Sequence, residues 1–170
     1  KEGVYLVDSS FCVNSPWREW VLQALRDLLK YDVDGIFFDG PNFWPDCCYC
    51  EHCRRRFKER FGADLPPKSD RKSPLLPKLI EFQIESIAEF AEDCRRVIKE
   101  INPNVLFYRN VGNILTPRWV LAVDPRSLIK HFDMLGAEGG FLYRDLTCRP
   151  IWMAGAMAKL LETQAAGKPY

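Results

Sequence analysis

Excess charge of either sign is missing from this sequence: 24 lysines and arginines stand against 23 aspartates and glutamates. No strong field therefore draws the chain to nucleic acid or to an anionic membrane surface. No apolar run is long enough to cross a bilayer, and residues 1–20 lack the basic, then apolar, then small-residue order of a secretory leader. No Gly-x-Gly-x-x-Gly and no phosphate loop follows an apolar run, which disfavours a dinucleotide fold. The seven cysteines are odd in number and clustered, so a disulfide framework of the small secreted kind is a poor reading.

What is present suits a globular domain. The chain has 170 residues, of which 47% are hydrophobic and 13% aromatic, enough for one proper core. Gly3-Val-Tyr-Leu-Val7 begins as a strand almost at residue 1, and Lys168-Pro-Tyr170 reads as the start of another. This is the pattern expected of a piece of a longer polypeptide.

Val4-Tyr-Leu-Val7 is a short apolar run and predicts a first buried strand. Ser15-Pro16 predicts a helix start, with serine as N-cap and proline at the first helical position. Trp17, Trp20, Val21, Ala24, Leu25 and Leu28 then fall on one helical face. Gly35-Ile-Phe-Phe38 predicts a second strand, apolar on both faces as a strand between helices and a barrel core must be. A cysteine loop follows, then a short helix with Phe57 and Phe61, and a proline-rich passage to Pro77 that must run irregularly. A long helix from Pro77 is stopped by Asn102-Pro103. Val105-Leu-Phe-Tyr108 and Met134-Leu-Gly-Ala137 predict the third and fourth strands, and residues 152–165 a last amphipathic helix. Alternating strands and helices imply a parallel sheet with right-handed crossovers. The expectation is an α/β fold, a segment of about four strands of a (β/α)8 TIM-type barrel filling residues 1–170, with a zinc-binding loop at 44–57.

Barrel active sites gather at the C-terminal ends of strands. Those positions hold Asp8, Asp39, Arg109 with Asn110, and Glu138. Asp39 ends a strongly apolar run, where a carboxylate is poorly solvated and its pKa open to tuning; the plainer account is a loop-bracing aspartate. Glu138 lies in Gly136-Ala-Glu-Gly-Gly140, whose glycines admit close approach of a ligand. Two carboxylates across a barrel mouth suit glycoside hydrolysis, one protonating the leaving oxygen while the other attacks the anomeric carbon or activates water. Phe43, Trp44 and Trp119 lie near the same rim and could stack on sugar faces or simply pack in the core.

Cys48-x-Cys50-x-x-Cys53 brings three soft thiolates together, and a fourth ligand would close a tetrahedral structural zinc site. That ligand is either His52, awkwardly placed beside Cys53, or Cys12, which follows the neighbouring strand on the same rim. Unligated cysteines and thioredoxin-like redox chemistry are the competing readings, although Cys50-Glu-His-Cys53 fits the redox motif only loosely. Cys94 and Cys148 read as small buried residues.

Cys12-Val-Asn-Ser-Pro16, the strand ending near Asp39, and Cys48-Tyr-Cys-Glu-His-Cys53 with Arg54, Phe57 and Phe61-Gly62 resemble the β-galactosidases of glycoside hydrolase family 42 over roughly residues 4–65. The resemblance implies that Cys12, Cys48, Cys50 and Cys53 bind a structural zinc, with Cys47 outside the set. It departs from that family where an Asn-Glu pair should follow the strand, since this chain has Asp39-Gly-Pro-Asn42. Asp34-Gly-Ile-Phe-Phe-Asp-Gly-Pro41 is more similar to the barrel proteins described as hypothetical glycosyl hydrolase family 6, and it also resembles the strand end of family 29 α-L-fucosidases. The latter likeness implies Asp39 as nucleophile, with Glu138 its acid/base partner by position. Asp8, Trp44, Arg109 and Asn110 are then expected to bind a carbohydrate substrate. The alternatives are a non-catalytic carbohydrate-binding barrel and a zinc-stabilised interaction domain. Thiolate zinc leans toward a reducing cytoplasm, and homo-oligomerisation of the longer protein is left open.

Overall fold

The computed structural model describes residues 11–44, 48–67, 70–112, 118–138 and 152–170. The strand expected at residues 4–7, Asp8, Cys47 and Cys148 lie outside the described residues, as does the side chain of Trp119.

Helix α1 (Trp17–Leu28) buries Val21, Leu22 and Leu25 against the long helix α3 (Leu76–Ile101). Its start differs by one residue from the expected one: Pro16 takes the N-cap position. Ser15 still serves the helix end, its Oγ accepting from the Trp17 N–H at 3.3 Å. Trp20 and Leu28 do not join the buried face and remain exposed. The buried arc is turned toward Leu22, which leaves these two at its edge.

Among the described residues three strands form one parallel sheet: β1 (Gly35–Phe38), β2 (Leu106–Asn110) and β3 (Met134–Gly136), in the order β1-β2-β3. Ile36 pairs with Phe107, and Arg109 with Leu135. The spatial order follows the chain without reversal. Helix α2 (Glu51–Phe61) and α3 cross from β1 to β2. The short helices α4 (Arg118–Leu121) and α5 (Pro125–Leu128), with a 3-10 turn at Ile129–His131, cross from β2 to β3. Helix α6 (Met153–Gln164) follows. Helix α2 stops at Gly62, whose φ of 65° permits the left-handed closing turn and lets its N–H reach the Lys58 carbonyl at 2.8 Å.

Strand alternation divides the side chains between two faces. Ile36, Phe107, Arg109 and Leu135 are buried beneath the helices. There Phe90 of α3 stacks on Trp17 and Phe38 at 5.7 and 6.1 Å, and Phe107 meets Phe38 edge-on and packs on Phe132. The opposite face is not covered as expected. Phe37 is 49% and Leu106 54% exposed, because no second layer lies on that face among the described residues. At the sheet's other end Asp133 ties β2 to α3. It accepts from the Phe107 N–H at 2.9 Å and from Arg95 and Lys99 at 2.8 and 2.7 Å.

Candidate functional site

The C-terminal strand ends bring three polar side chains together. Asp39 follows β1, Asn110 ends β2, and Glu138 lies two residues beyond β3. Asn110 Nδ2 donates to Asp39 Oδ1 at 2.8 Å and to Glu138 Oε1 at 2.7 Å. Both oxygens hang from one nitrogen, so these two distances bound their separation at about 5.5 Å. The amide orientation is fixed from behind, since Asn110 Oδ1 accepts the Gly112 N–H at 2.7 Å. Gly112 has a φ of 68°, the left-handed conformation that lets the chain curl back on the asparagine side chain. The Gly112 carbonyl in turn accepts the Glu138 N–H at 2.9 Å, which seats the second carboxylate. Sequence reading passed over Gly112; its signal was a glycine two residues after an asparagine at a strand end.

Arg109 is held elsewhere. It is fully buried on the helix-covered face, one pleat away from Asn110. Its Nη2 donates to the Pro41 carbonyl at 2.7 Å and to Asn42 Oδ1 at 2.8 Å, so it grips the loop that leaves Asp39. Nε and Nη1 have no partner among the described residues. Burial lowers the guanidinium pKa to about 10, a fall that the Asp39 carboxylate partly offsets. Trp44 is half exposed and lines a cavity of about 470 Å³ together with Phe37, Asp39, Pro41 and Asn42. Asp8 lies outside the described residues.

Next to this rim, Cys12, Cys48, Cys50 and Cys53 have their sulfurs all within 4.8 Å of one another. Cys12 Sγ is 3.3 Å from Cys53 Sγ and 3.6 Å from Cys50 Sγ. A tetrahedral ion with metal–sulfur bonds of about 2.3 Å needs edges of roughly 3.8 Å, so a small closing or opening of the cage accommodates one. Among the described residues this is the one cluster with such ligand geometry. His52 is not in it; its Nε2 lies 3.6 Å from Glu51.

The local chain explains the placement. Ser15 donates through both N–H and Oγ to the Cys12 carbonyl, at 3.0 and 2.7 Å, curling Cys12 into a turn before α1. Cys50 is the N-cap of α2 and Cys53 lies in its first turn, so the helix start carries both sulfurs to the same side of the loop. Without a cation Cys12, Cys48 and Cys53 share protons among their sulfurs. The Cys48 pKa is driven down because Cys12 and Cys53 donate to its thiolate; the Cys12 thiol is pushed up by its bond to Cys48, and that of Cys53 by its bonds to Cys12 and then Cys48. A soft divalent ion would replace those shared protons, and the all-sulfur donor set suits it. Asn14, which sequence reading did not single out, donates from its backbone N–H to Cys12 Sγ and from Nδ2 to Cys53 Sγ, both at 3.4 Å. The four cysteines can therefore hold a metal ion, with hydrogen bonds to the sulfurs already in place.

No protein-family model matches the chain, and no curated protein matches it. Solved structures do resemble it. A β-galactosidase from Bacillus circulans sp. alkalophilus matches with a TM-score of 0.70 at 17% identity, over 95% of this chain and 28% of that one. The cold-adapted β-galactosidase from Rahnella sp. R3 matches with a TM-score of 0.60 at 17% identity, over 80% of this chain and 24% of that one. A polyextremophilic β-galactosidase from the haloarchaeon Halorubrum lacusprofundi gives 0.57 at 16%, over 80% and 26%. The chain thus spans about a quarter of the length of these enzymes, and at such identity what it shares with them is the fold.

Proposed function

We propose that the chain is a segment of a (β/α)8 barrel from a glycoside hydrolase, with Asp39 and Glu138 as its carboxylate pair and Cys12, Cys48, Cys50 and Cys53 as ligands of a structural zinc. The observation that carries this reading is the single Asn110 amide nitrogen shared by both carboxylates. The likeness to segments of three β-galactosidases supports it, and so does a sheet whose order runs β1-β2-β3 without the reversal of a doubly wound fold.

Two carboxylate oxygens held within about 5.5 Å of each other favour the roughly 5–5.5 Å carboxyl spacing of retaining enzymes over the about 6.5–9.5 Å of inverting ones. In the retaining sequence Glu138 protonates the glycosidic oxygen as Asp39 attacks the anomeric carbon. The bond to the leaving group breaks and an ester to Asp39 forms. Glu138 then takes a proton from water, whose oxygen displaces Asp39 and releases the sugar. Asn110 can donate to the carbonyl oxygen of a protonated Glu138 while the other oxygen keeps the proton, so its hydrogen bond is compatible with both states. Trp44, half exposed on the cavity wall beside Asp39, offers a face to a sugar ring. Zinc in a cage of four thiolates has no open position for water and serves to fix the loop that follows Asp39.

Asp39→Asn should abolish turnover of an aryl glycoside while leaving the melting temperature almost unchanged. Normal turnover in that variant would sink the assignment. Sugar binding without hydrolysis by the unsubstituted protein would select the non-catalytic barrel.

A further inference from the structure

A divalent ion held by four thiolates leaves two net negative charges on the cage, and one of its sulfurs, that of Cys53, belongs to a fully buried residue. Charge in such a place needs donors aimed at it. Asn14 reaches two of the four sulfurs, Cys12 through its backbone N–H and Cys53 through Nδ2. Its remaining side-chain bonds lead away from the cage. Nδ2 also donates to Ser86 Oγ at 3.0 Å, and that hydroxyl spends its own hydrogen on the Phe82 carbonyl at 2.8 Å, so it can only accept from Asn14. Oδ1 accepts from Arg56 Nη1, a group that can only donate. Both neighbours therefore impose the same amide orientation, the one that points N–H at sulfur. Arg56 is braced in turn by Glu89, at 2.6 Å from Nη2, across the contact between α2 and α3.

We infer that Asn14 is the positioning residue of the metal cage, locked by Arg56 and Ser86, and that it ties metal occupancy to the packing of α2 on α3. The inference rests on the four cysteines being a metal site. Cobalt(II) titration of the protein, with zinc competition against a chromophoric chelator, tests it. Asn14→Ala should keep the tetrahedral four-thiolate absorption, shift the sulfur-to-cobalt band to lower energy, and weaken zinc binding by about 10- to 100-fold. Arg56→Met removes a side chain that is about one-third exposed, leaves Asn14 held by Ser86 alone, and should show a smaller loss in the same direction. Unchanged zinc affinity and an unchanged cobalt band in both variants, with the unsubstituted protein binding normally, would overturn the inference and leave the metal site standing. An unsubstituted protein that binds neither ion through its thiols would overturn both.

Discussion

Replacing Arg109 by methionine separates what this residue does for stability from what it does for the site. The guanidinium is fully buried, and the fall of its pKa from 12.5 to about 10 corresponds to roughly 3 kcal/mol of unfavourable burial at neutral pH. Against this stand two charge-assisted hydrogen bonds, to the Pro41 carbonyl and Asn42 Oδ1, at about 1.5–3 kcal/mol each. Pro41 and Asn42 are only half buried, so water can replace the lost donor. Methionine refills most of the volume without a charge to desolvate. The terms nearly cancel, and Arg109→Met should lose between about 0 and 3 kcal/mol in urea unfolding at constant m-value. The loop leaving Asp39 would be released, and a displacement near 1 Å at a reacting carboxylate costs about 10²-fold in kcat. A stability loss above roughly 5 kcal/mol would show that the buried cation stabilises the fold well beyond what these terms allow, and unchanged kcat would show that the loop does not position Asp39. Either result would deny Arg109 the role given to it.

Two further predictions concern the frame around the site. The Asp133 carboxyl pays for partial burial, but hydrogen bonds from Lys99, Arg95 and the Phe107 N–H outweigh that and lower its pKa from 3.8 to about 2. A depressed carboxylate contributes stability that is full above pH 4 and is lost as pH falls through 2, here roughly 2 kcal/mol; Asp133→Asn should flatten that part of the stability–pH curve, and an unaltered acid limb would count against the network. Chelation of the bound metal should expose four further thiols to a disulfide reagent, those of Cys12, Cys48, Cys50 and Cys53, and lower the melting temperature until zinc is restored. Release of fewer than four thiols would remove a ligand from the set.

The sequence made the strand ends legible because apolar runs stop abruptly there and polar residues follow: Phe38 then Asp39, Gly136 then Glu138. Arg109 and Asn110 were harder. Reading the third strand as ending at Tyr108 treated both as loop residues facing one cleft, whereas β2 runs on to Asn110 and the pleat sends them to opposite faces. The open side of the sheet, with Phe37 and Leu106 exposed, was hidden by the same habit of reading a continuous apolar run as covered on both faces. Trp20 and Leu28 matched the helical period but lie at the edge of the buried arc, since periodicity gives a stripe and not its centre. The cysteine spacing located three members of the cluster within six residues. The fourth, Cys12, was legible from its place after the neighbouring strand, whereas Asn14 reaches Cys53 across 39 residues, for which local pattern carries no signal.

If Asp39 is the nucleophile of a retaining pair, a covalent trap will capture it on the protein itself. A 2-deoxy-2-fluoro glycoside with a good leaving group forms the glycosyl ester quickly and hydrolyses it slowly, so peptide mass spectrometry of the inactivated protein reads which carboxylate was glycosylated. The expected label lies on the peptide containing Asp39, with Glu138 unmodified. A label on Glu138, or inactivation-resistant turnover by a protein that hydrolyses the matching aryl glycoside, would contradict it.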